Sequence, residues 1–471
     1  MKIVDLEIKG ITSNSQEIRK GFLFVAIKGN RQDGNDYIPE AVSRGAGIIV
    51  VEKKFPRIKV PPKVVFLIVN DCRKFFAQAT HNFYGTPSNK IKVIGITGTN
   101  GKTTVSYLIE AMAKEAGDDC GVIGTINYRF KNRITLAKNT TPGAGELQGM
   151  LKKMLSQKVK YCAMEVSSHA LDQDRVAGIN FSYAIFTNLT QDHLDYHQNL
   201  EKYFLAKTKL FCALPAVAKA IINNDDPYSR RLKRLTRAKV LTYGIRNRSE
   251  IMAKKINFGL HSTEFSLVAP NFNIRLKTNL VGSYNVYNIL AAVAWGMVEK
   301  LPMRKIKSAI EKFKNVPGRL ERVYCAQGLN ILVDYAHTPD ALLNVLGALR
   351  PLVKGKIFVI FGCGGERDKL KRPLMGKVAT ELADYAIITS DNPRSENPIK
   401  IIKDIVKGIE KSNYCLISDR KKAIRKGLSL INNHDCLLIA GKGHENYQIL
   451  KDKVLSFNDR KVVCECLALM K

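Results

Sequence analysis

The 471 residues exceed what one hydrophobic core serves, and at roughly 100–200 residues per domain they should divide into about three. With 45% hydrophobic and 25% charged residues, the composition excludes a disordered or fibrous chain, and no run of about 18 apolar residues is available to cross a membrane. The net charge of +33 is spread along the chain, not gathered in a stripe or tail, so it predicts attraction for phosphate-bearing substrates or a solvated surface and no nucleic-acid partner.

The N-terminus, MKIVDLEIKG, carries acids early and lacks a continuous apolar stretch. No secretory signal is expected, and the expected location is the cytoplasm. The ten cysteines stand singly without a CxxC pair, which suits core thiols in a reducing compartment better than zinc or disulfides. Residues 1–90 hold short β-like runs (FLFVAI, GIIVVE, VVFLIV) separated by turn-rich text such as KGNRQDGND, the pattern of a small α/β domain. From IKVIGITGTNGKTT, apolar strands alternate with helical stretches through KYCAMEV, YAIFTNLT and KAIINND, predicting a central domain over 91–317 with a parallel-rich sheet. After the segment Asn315 to Val323, the strands ILVDY, IFVIFG, YAIITS, YCLIS and CLLIAG predict a third, Rossmann-like domain over 318–471. The fold class is therefore three-domain α/β. No internal repeat or low-complexity segment interrupts it.

The segment from Gly95 to Thr104, GITGTNGKTT, follows a strand and opens a helix, as phosphate binding requires. Its glycines let backbone N–H groups turn toward phosphates, the helix N-terminus adds partial positive charge, Lys102 adds a full one, and Thr103 can ligate magnesium. Gly98, Thr99, Asn100, Gly101, Lys102, Thr103 and Thr104 are thus the expected ATP-binding residues. Ile96 occupies the first glycine position of the usual GxxxxGK[ST] spacing, and a chance glycine-rich turn is the competing reading. Downstream, KYCAMEVSSHAL ends a strand at Glu165, where an enzyme with such a loop places a magnesium ligand; the alternative is an exposed acid at a strand end. TNLTQDHLDYH gathers Asp192, His193, Asp195 and His197, and FLAKTKLF carries Lys207. Histidine is an unusual partner for magnesium, which prefers oxygen.

Together, GTNGKTT, MEVSSH, TNLTQDHLDYH, Ala206-Lys207, GSYNVYN and Gly318-Arg319 resemble the Mur ligase family of peptidoglycan synthesis over nearly the whole chain. The resemblance implies an ATP-dependent amide ligase, a carbamylated lysine (N6-carboxylysine) at Lys207, and two magnesium ions held by Thr103, Glu165, His193 and the modified Lys207. It also implies nucleotide contacts from Asn285, Arg319 and Asp334, although GSYNVYN could be only a turn before an apolar helix. In the first domain the family's Asp-Ser-Arg stands as Asn14-Ser15-Gln16: Ser15 still offers a hydrogen bond to uracil, while the arginine is lost. Asn139, Thr140, Thr141, Ser167, Gln173 and Arg175 match positions that hold the pyrophosphate and muramoyl peptide.

The third domain bears on the amino-acid substrate. Asp391-Asn392-Pro393-Arg394, FGCGGERDK and AGKGHENYQ follow strand ends, where open α/β sheets bind ligands. Arg367 and Arg394 could bind carboxylates bidentately, with Glu445 taking an ammonium and Gly441 and His444 beside them; surface ion pairing is the alternative for each charge. These motifs look like those of the family member that adds the third residue of the muropeptide. The DNPR form is associated with meso-diaminopimelate rather than lysine, which has no distal carboxylate to face an arginine. The resemblance therefore implies UDP-N-acetylmuramoyl-L-alanyl-D-glutamate and meso-diaminopimelate as substrates, and a monomer. Folylpolyglutamate synthase shares the loop and the chemistry but is not expected to carry DNPR with GKGHE.

Overall fold

The computed structural model describes residues 2–3, 6–29, 32–52, 63–323 and 328–469. The expected turn KGNRQDGND is described except for Asn30 and Arg31, which lie outside those residues.

Three main sheets organise the molecule. The first is a four-stranded parallel sheet of Gly10–Thr12, Phe22–Val25, Ala46–Glu52 and Val65–Val69. The second has eleven strands. Its centre is parallel: Lys92–Thr97 lies between Tyr161–Glu165 and Phe181–Phe186, with Lys219–Asn223 and Lys239–Gly244 beyond. Tyr161–Glu165 is buried along its whole length, as expected of a strand covered by helices on both faces. Both edges of this sheet turn antiparallel. One edge is the hairpin Asn127–Phe130 with Arg133–Leu136, and the other is the meander Ile251–Phe258, Thr263–Ala269 and Phe272–Thr278. The third sheet has the order Glu321–Val323, Asn330–Asp334, Cys436–Ala440, Ile357–Phe361, Tyr385–Ile388 and Tyr414–Leu416, and only its first strand is antiparallel.

Two central helices back the glycine-rich loop 98–101. Lys102–Ala116 closes at Gly117, whose φ of 94° lets the chain leave the last turn in the left-handed region. Ser283–Val298 (SYNVYNILAAVAWGMV) is apolar on nearly every side, so it can only be an interior helix. Its Trp295 is fully buried and meets the Tyr161 ring edge-on at 5.2 Å. Among the described residues no helix is long and apolar enough to cross a membrane.

Candidate active site

Strand Lys92–Thr97 delivers the chain into the 98–101 loop at the N-terminus of helix Lys102–Ala116. Gly98 has φ 147° and Gly101 φ 90°, and a β-carbon would collide with Thr187 Oγ1 at the first and Asn288 Oδ1 at the second. Only glycine lets this backbone turn so close to its neighbours. Lys102 Nζ donates to the carbonyls of Gly98 and Thr99, both at 2.8 Å, and the buried Lys207 Nζ donates to the same Gly98 carbonyl at 2.9 Å. Two lysine amines therefore crowd one oxygen. Burial, then mutual repulsion, drives Lys207 well below the usual lysine range; burial also lowers Lys102, against the pull of Glu165 and Asp192.

Glu165 is buried, not an exposed strand-end acid. Its Oε2 accepts from Thr103 Oγ1 at 3.1 Å and Thr125 Oγ1 at 2.9 Å, and its Oε1 from the Thr125 N–H at 3.0 Å. Thr141 Oγ1 donates to the Glu165 carbonyl at 2.8 Å and accepts from the Ser167 N–H at 3.0 Å. Arg175 donates to the Thr141 carbonyl at 2.9 Å and to Gln173 Oε1 at 2.6 Å, so these polar residues form one braced wall. Asn139, Thr140, Thr141, Ser167 and Arg175 line the cleft, while Gln173 acts from behind Arg175. His193, at φ 54°, lies 3.4 Å from Asp192 and edge-on to His169 with ring centres 4.7 Å apart. Burial holds its imidazole neutral, the state in which a ring nitrogen can ligate a metal.

The third domain closes the other side of a cleft of about 1260 Å³. Arg319 reaches across to Thr103 Oγ1 at 3.3 Å with its guanidinium 4.7 Å from the Tyr335 ring centre. Asp340 Oδ2 accepts from loop residue Asn100 at 2.8 Å and from Thr190 Oγ1 at 3.0 Å. Arg367, Asp391, Asn392, Arg394, Gly441 and Glu445 all line the same cleft as Thr99, Asn100, Gly101, Lys102 and Thr103. Arg394 sits at φ 54° and donates to the Gly365 carbonyl at 2.7 Å; it pairs with no carboxylate among the described residues, and neither does Arg367. Glu445 is occupied on one oxygen, accepting from Asn392 Nδ2 at 2.8 Å and from the buried Lys442 at 2.9 Å.

Several expected residues stand outside the cleft lining. Gly98 and Thr104 belong to the loop and helix beneath it, and Pro393 to the turn behind Arg394. The Asn285 amide donates to the Val281 carbonyl at 2.8 Å and accepts from Asn288 at 3.2 Å. It thus reaches the loop only through Asn288. Asp334 is buried and accepts from the N–H groups of Leu320 at 2.6 Å and Ala336 at 2.7 Å, which anchors the turn carrying Arg319. Ser15 lies in the first domain with its hydroxyl donated to Glu40 at 2.7 Å.

The Mur ligase middle domain matches residues 96–296, the Mur ligase glutamate ligase domain 318–443, and the Mur ligase family catalytic domain 7–84. The chain belongs to the Mur ligase family. Two relatives bear the name UDP-N-acetylmuramoyl-L-alanyl-D-glutamate–2,6-diaminopimelate ligase. The protein of Clostridium botulinum is 43% identical over 98% of this chain and 95% of its own, and that of Bacillus cereus 44% identical over 98% and 94%. A solved structure titled as the same ligase is 30% identical, covers 99% of this chain and 98% of its own, and superposes with a TM-score of 0.70.

Within this Mur ligase, sequence reading passed over Asn288, Thr125, Asp340, Lys371 and Lys442. The first two act on the loop and on Glu165 from distant segments. Lys371 is buried against the His337 carbonyl at 2.8 Å and lines the cleft, yet in sequence it is one lysine within KLKRP. Only the GKGHE text around Lys442 was conspicuous, and there the lysine was overlooked for its neighbours.

Proposed function

We propose that the chain joins meso-diaminopimelate to the γ-carboxylate of UDP-N-acetylmuramoyl-L-alanyl-D-glutamate, with ATP cleaved to ADP and phosphate. The observation that carries this reading is one cleft in which Arg394 and Arg367, paired with no carboxylate among the described residues, face a phosphate loop together with Glu445. An amino acid whose far end carries both a carboxylate and an ammonium satisfies all three charges. Lysine would leave the guanidinium groups unmatched. Near-full-length similarity to ligases bearing that substrate in their names supports the same assignment.

The chemistry follows from the poor electrophilicity of a carboxylate. The γ-carboxylate oxygen attacks the γ-phosphorus of ATP and ADP leaves, giving an acyl phosphate. The diaminopimelate amine then attacks the acyl carbon, phosphate departs with the bonding pair, and the amine proton passes to solvent. Lys102 faces the transferring phosphoryl group, Arg319 and the loop N–H groups hold the nucleotide, and the braced wall of Thr141, Ser167 and Arg175 orients the muramoyl peptide. Docking of the third domain brings the amine within reach and excludes water.

Thr103 and Glu165 offer hard oxygen donors 3.1 Å apart at the cleft wall, which fits magnesium. Among the described residues no group of three or more His, Cys, Asp or Glu is placed to hold a metal by itself, so an ion held by Thr103 and Glu165 would need further oxygen donors from the nucleotide or water. Magnesium, when bound, offsets negative charge on the phosphoryl oxygens. As a free amine Lys207 does not fit a metal, but as a carbamate it would hold a second ion with His193. Its burial favours the neutral amine, the form that adds carbon dioxide with release of a proton. The test is phosphate release with the UDP-dipeptide and ATP against diaminopimelate, lysine and ornithine. Turnover that prefers lysine, or that needs no amine, overturns the reading.

A further inference from the structure

Lys442 is fully buried, and no step above uses it. Its ammonium donates to Asn392 Oδ1 at 3.1 Å and to Glu445 Oε2 at 2.9 Å. The same Asn392 Oδ1 also accepts from the Ile449 N–H at 3.0 Å, and Asn392 Nδ2 donates to Glu445 Oε2 at 2.8 Å. The Asn392 amide therefore cannot flip without losing all three bonds, and its oxygen is spent within the protein. Beside it, Asp391 Oδ2 is buried without a hydrogen-bond partner among the described residues, while Asp391 Oδ1 takes the Asn392 N–H at 2.7 Å. Asp391, Glu445 and Lys442 together carry one net negative charge, so this cluster is one positive charge short of neutral. A second buried carboxylate charge without a cation would be strongly unfavourable, and two cations would repel an incoming ammonium.

We propose that Lys442 is a positioning residue of the amino-acid site: it locks Asn392 and Glu445 in one orientation and neutralises one of two carboxylates, the buried Asp391 and the half-buried Glu445, leaving the other charge for a single substrate ammonium. The inference rests on the diaminopimelate reading and assigns that reading's charge balance to a residue that does not line the cleft. In this arrangement Glu445 Oε1 and Asp391 Oδ2 receive the substrate's ammonium. Asn392 serves through the second hydrogen of Nδ2, as a donor to a carboxylate.

Glu445 is also where the effect can be read. Burial pushes its carboxyl above the ordinary range, Lys442 pulls it down and Asp391 pushes it up. The other groups around it are Tyr335, Tyr447 and Arg420, the last held by the buried Asp459 at 2.7 and 2.8 Å, with Arg394 and Arg367 lining the same cleft. Removing the Lys442 charge leaves burial and Asp391 unopposed, so Glu445 protonates at higher pH.

The experiment measures steady-state kinetics of the full chain across pH with diaminopimelate. Lys442→Met should raise KM for diaminopimelate on the order of a hundredfold, leave KM for ATP unchanged, and move the acid limb of kcat/KM to higher pH. Lys442→Arg should keep the limb near its wild-type position. In a Glu445→Gln background the limb should vanish and Lys442→Met should add little. If Lys442→Met does not fold, Lys442→Gln, which keeps a donor without the charge, reads the same limb. An unmoved limb, or a KM effect undiminished by Glu445→Gln, overturns the role of Lys442. A wild type that does not turn over diaminopimelate overturns instead the reading beneath it.

Discussion

The phosphate loop and the amino-acid pocket face each other across one cleft but are built in opposite ways. The loop is a run of consecutive residues whose function resides in backbone geometry: Gly98 and Gly101 in conformations that side chains disfavour, and a helix N-terminus behind them. The pocket is assembled from three loops after separate strands, Ile357–Phe361, Tyr385–Ile388 and Cys436–Ala440, and its function resides in a buried charge network. A backbone device tolerates change around it while its glycines and Lys102 stay. A charge network fails, or changes preference, when any member is altered.

The largest effect should come from the loop. Lys102→Ala removes a cation that contacts only loop carbonyls, so product formation should fall on the order of a thousandfold or more while the melting temperature stays close to wild type. Near-normal turnover in that variant would leave the loop without its assigned role.

Next comes the pocket. Arg394→Ala removes a guanidinium that no carboxylate among the described residues satisfies, and losing one partner of a buried ion pair costs about 3–5 kcal/mol, or two to three orders of magnitude in kcat/KM for diaminopimelate. KM for ATP should hold. Lysine should gain relative to diaminopimelate, because the substitution removes both a repulsive charge and the preferred substrate's partner. Unaltered discrimination between the two amino acids would place the distal carboxylate elsewhere.

Lys207 stands between the two designs, a side chain that needs chemical change to suit a metal. Lys207→Ala should lose roughly a hundredfold in turnover and regain part of it with added formate or acetate, which supply oxygens where the carbamate stood. Mass measurement of a peptide containing Lys207, kept above neutral pH so that the carbamate survives, checks the modification directly. An unmodified lysine in active enzyme, or full activity in the alanine variant, is the contrary result.

The same contrast explains what could be read from sequence. GITGTNGKTT was legible because the requirement is local, and the parallel strands YCAME, FSYAIF and KAIIN because burial on both faces makes each a continuous apolar run. The antiparallel edges were not. Strand Thr263–Ala269 alternates buried and half-buried residues, and Arg133–Leu136 is exposed throughout, so neither stands out as an apolar run. In the pocket, Asp391, Asn392 and Arg394 drew attention as a cluster, yet the bond pattern fixing them comes from Lys442 and from the hairpin Tyr447–Leu450 with Lys453–Ser456. Gln448 in that hairpin donates to the Asp391 carbonyl at 2.7 Å, and Arg394 donates its N–H to Ile449 at 3.1 Å. Partners fifty or more positions away leave no periodic signal.

The smallest expected effect tests the joint between the two regions. Asp340, in the first turn of helix Pro339–Leu349, accepts from Asn100 of the phosphate loop and from Thr190, and so couples the third domain to the nucleotide site. Hydrogen bonds to a charged acceptor contribute about 1.5–3 kcal/mol, and partial exposure puts this pair at the lower end, so Asp340→Ala should reduce kcat/KM roughly tenfold. Because the contact joins domains and does not support either core, the melting temperature should change little. Both substrates should feel the loss: ATP through Asn100, diaminopimelate through a third domain that docks less often. A double-mutant cycle with Asn100→Ala separates coupling from a local disturbance. If Asp340 acts through the loop, the second substitution adds much less than it does alone. Fully additive losses, or a loss confined to ATP, would mean that the two regions meet in this cleft without Asp340 coordinating them.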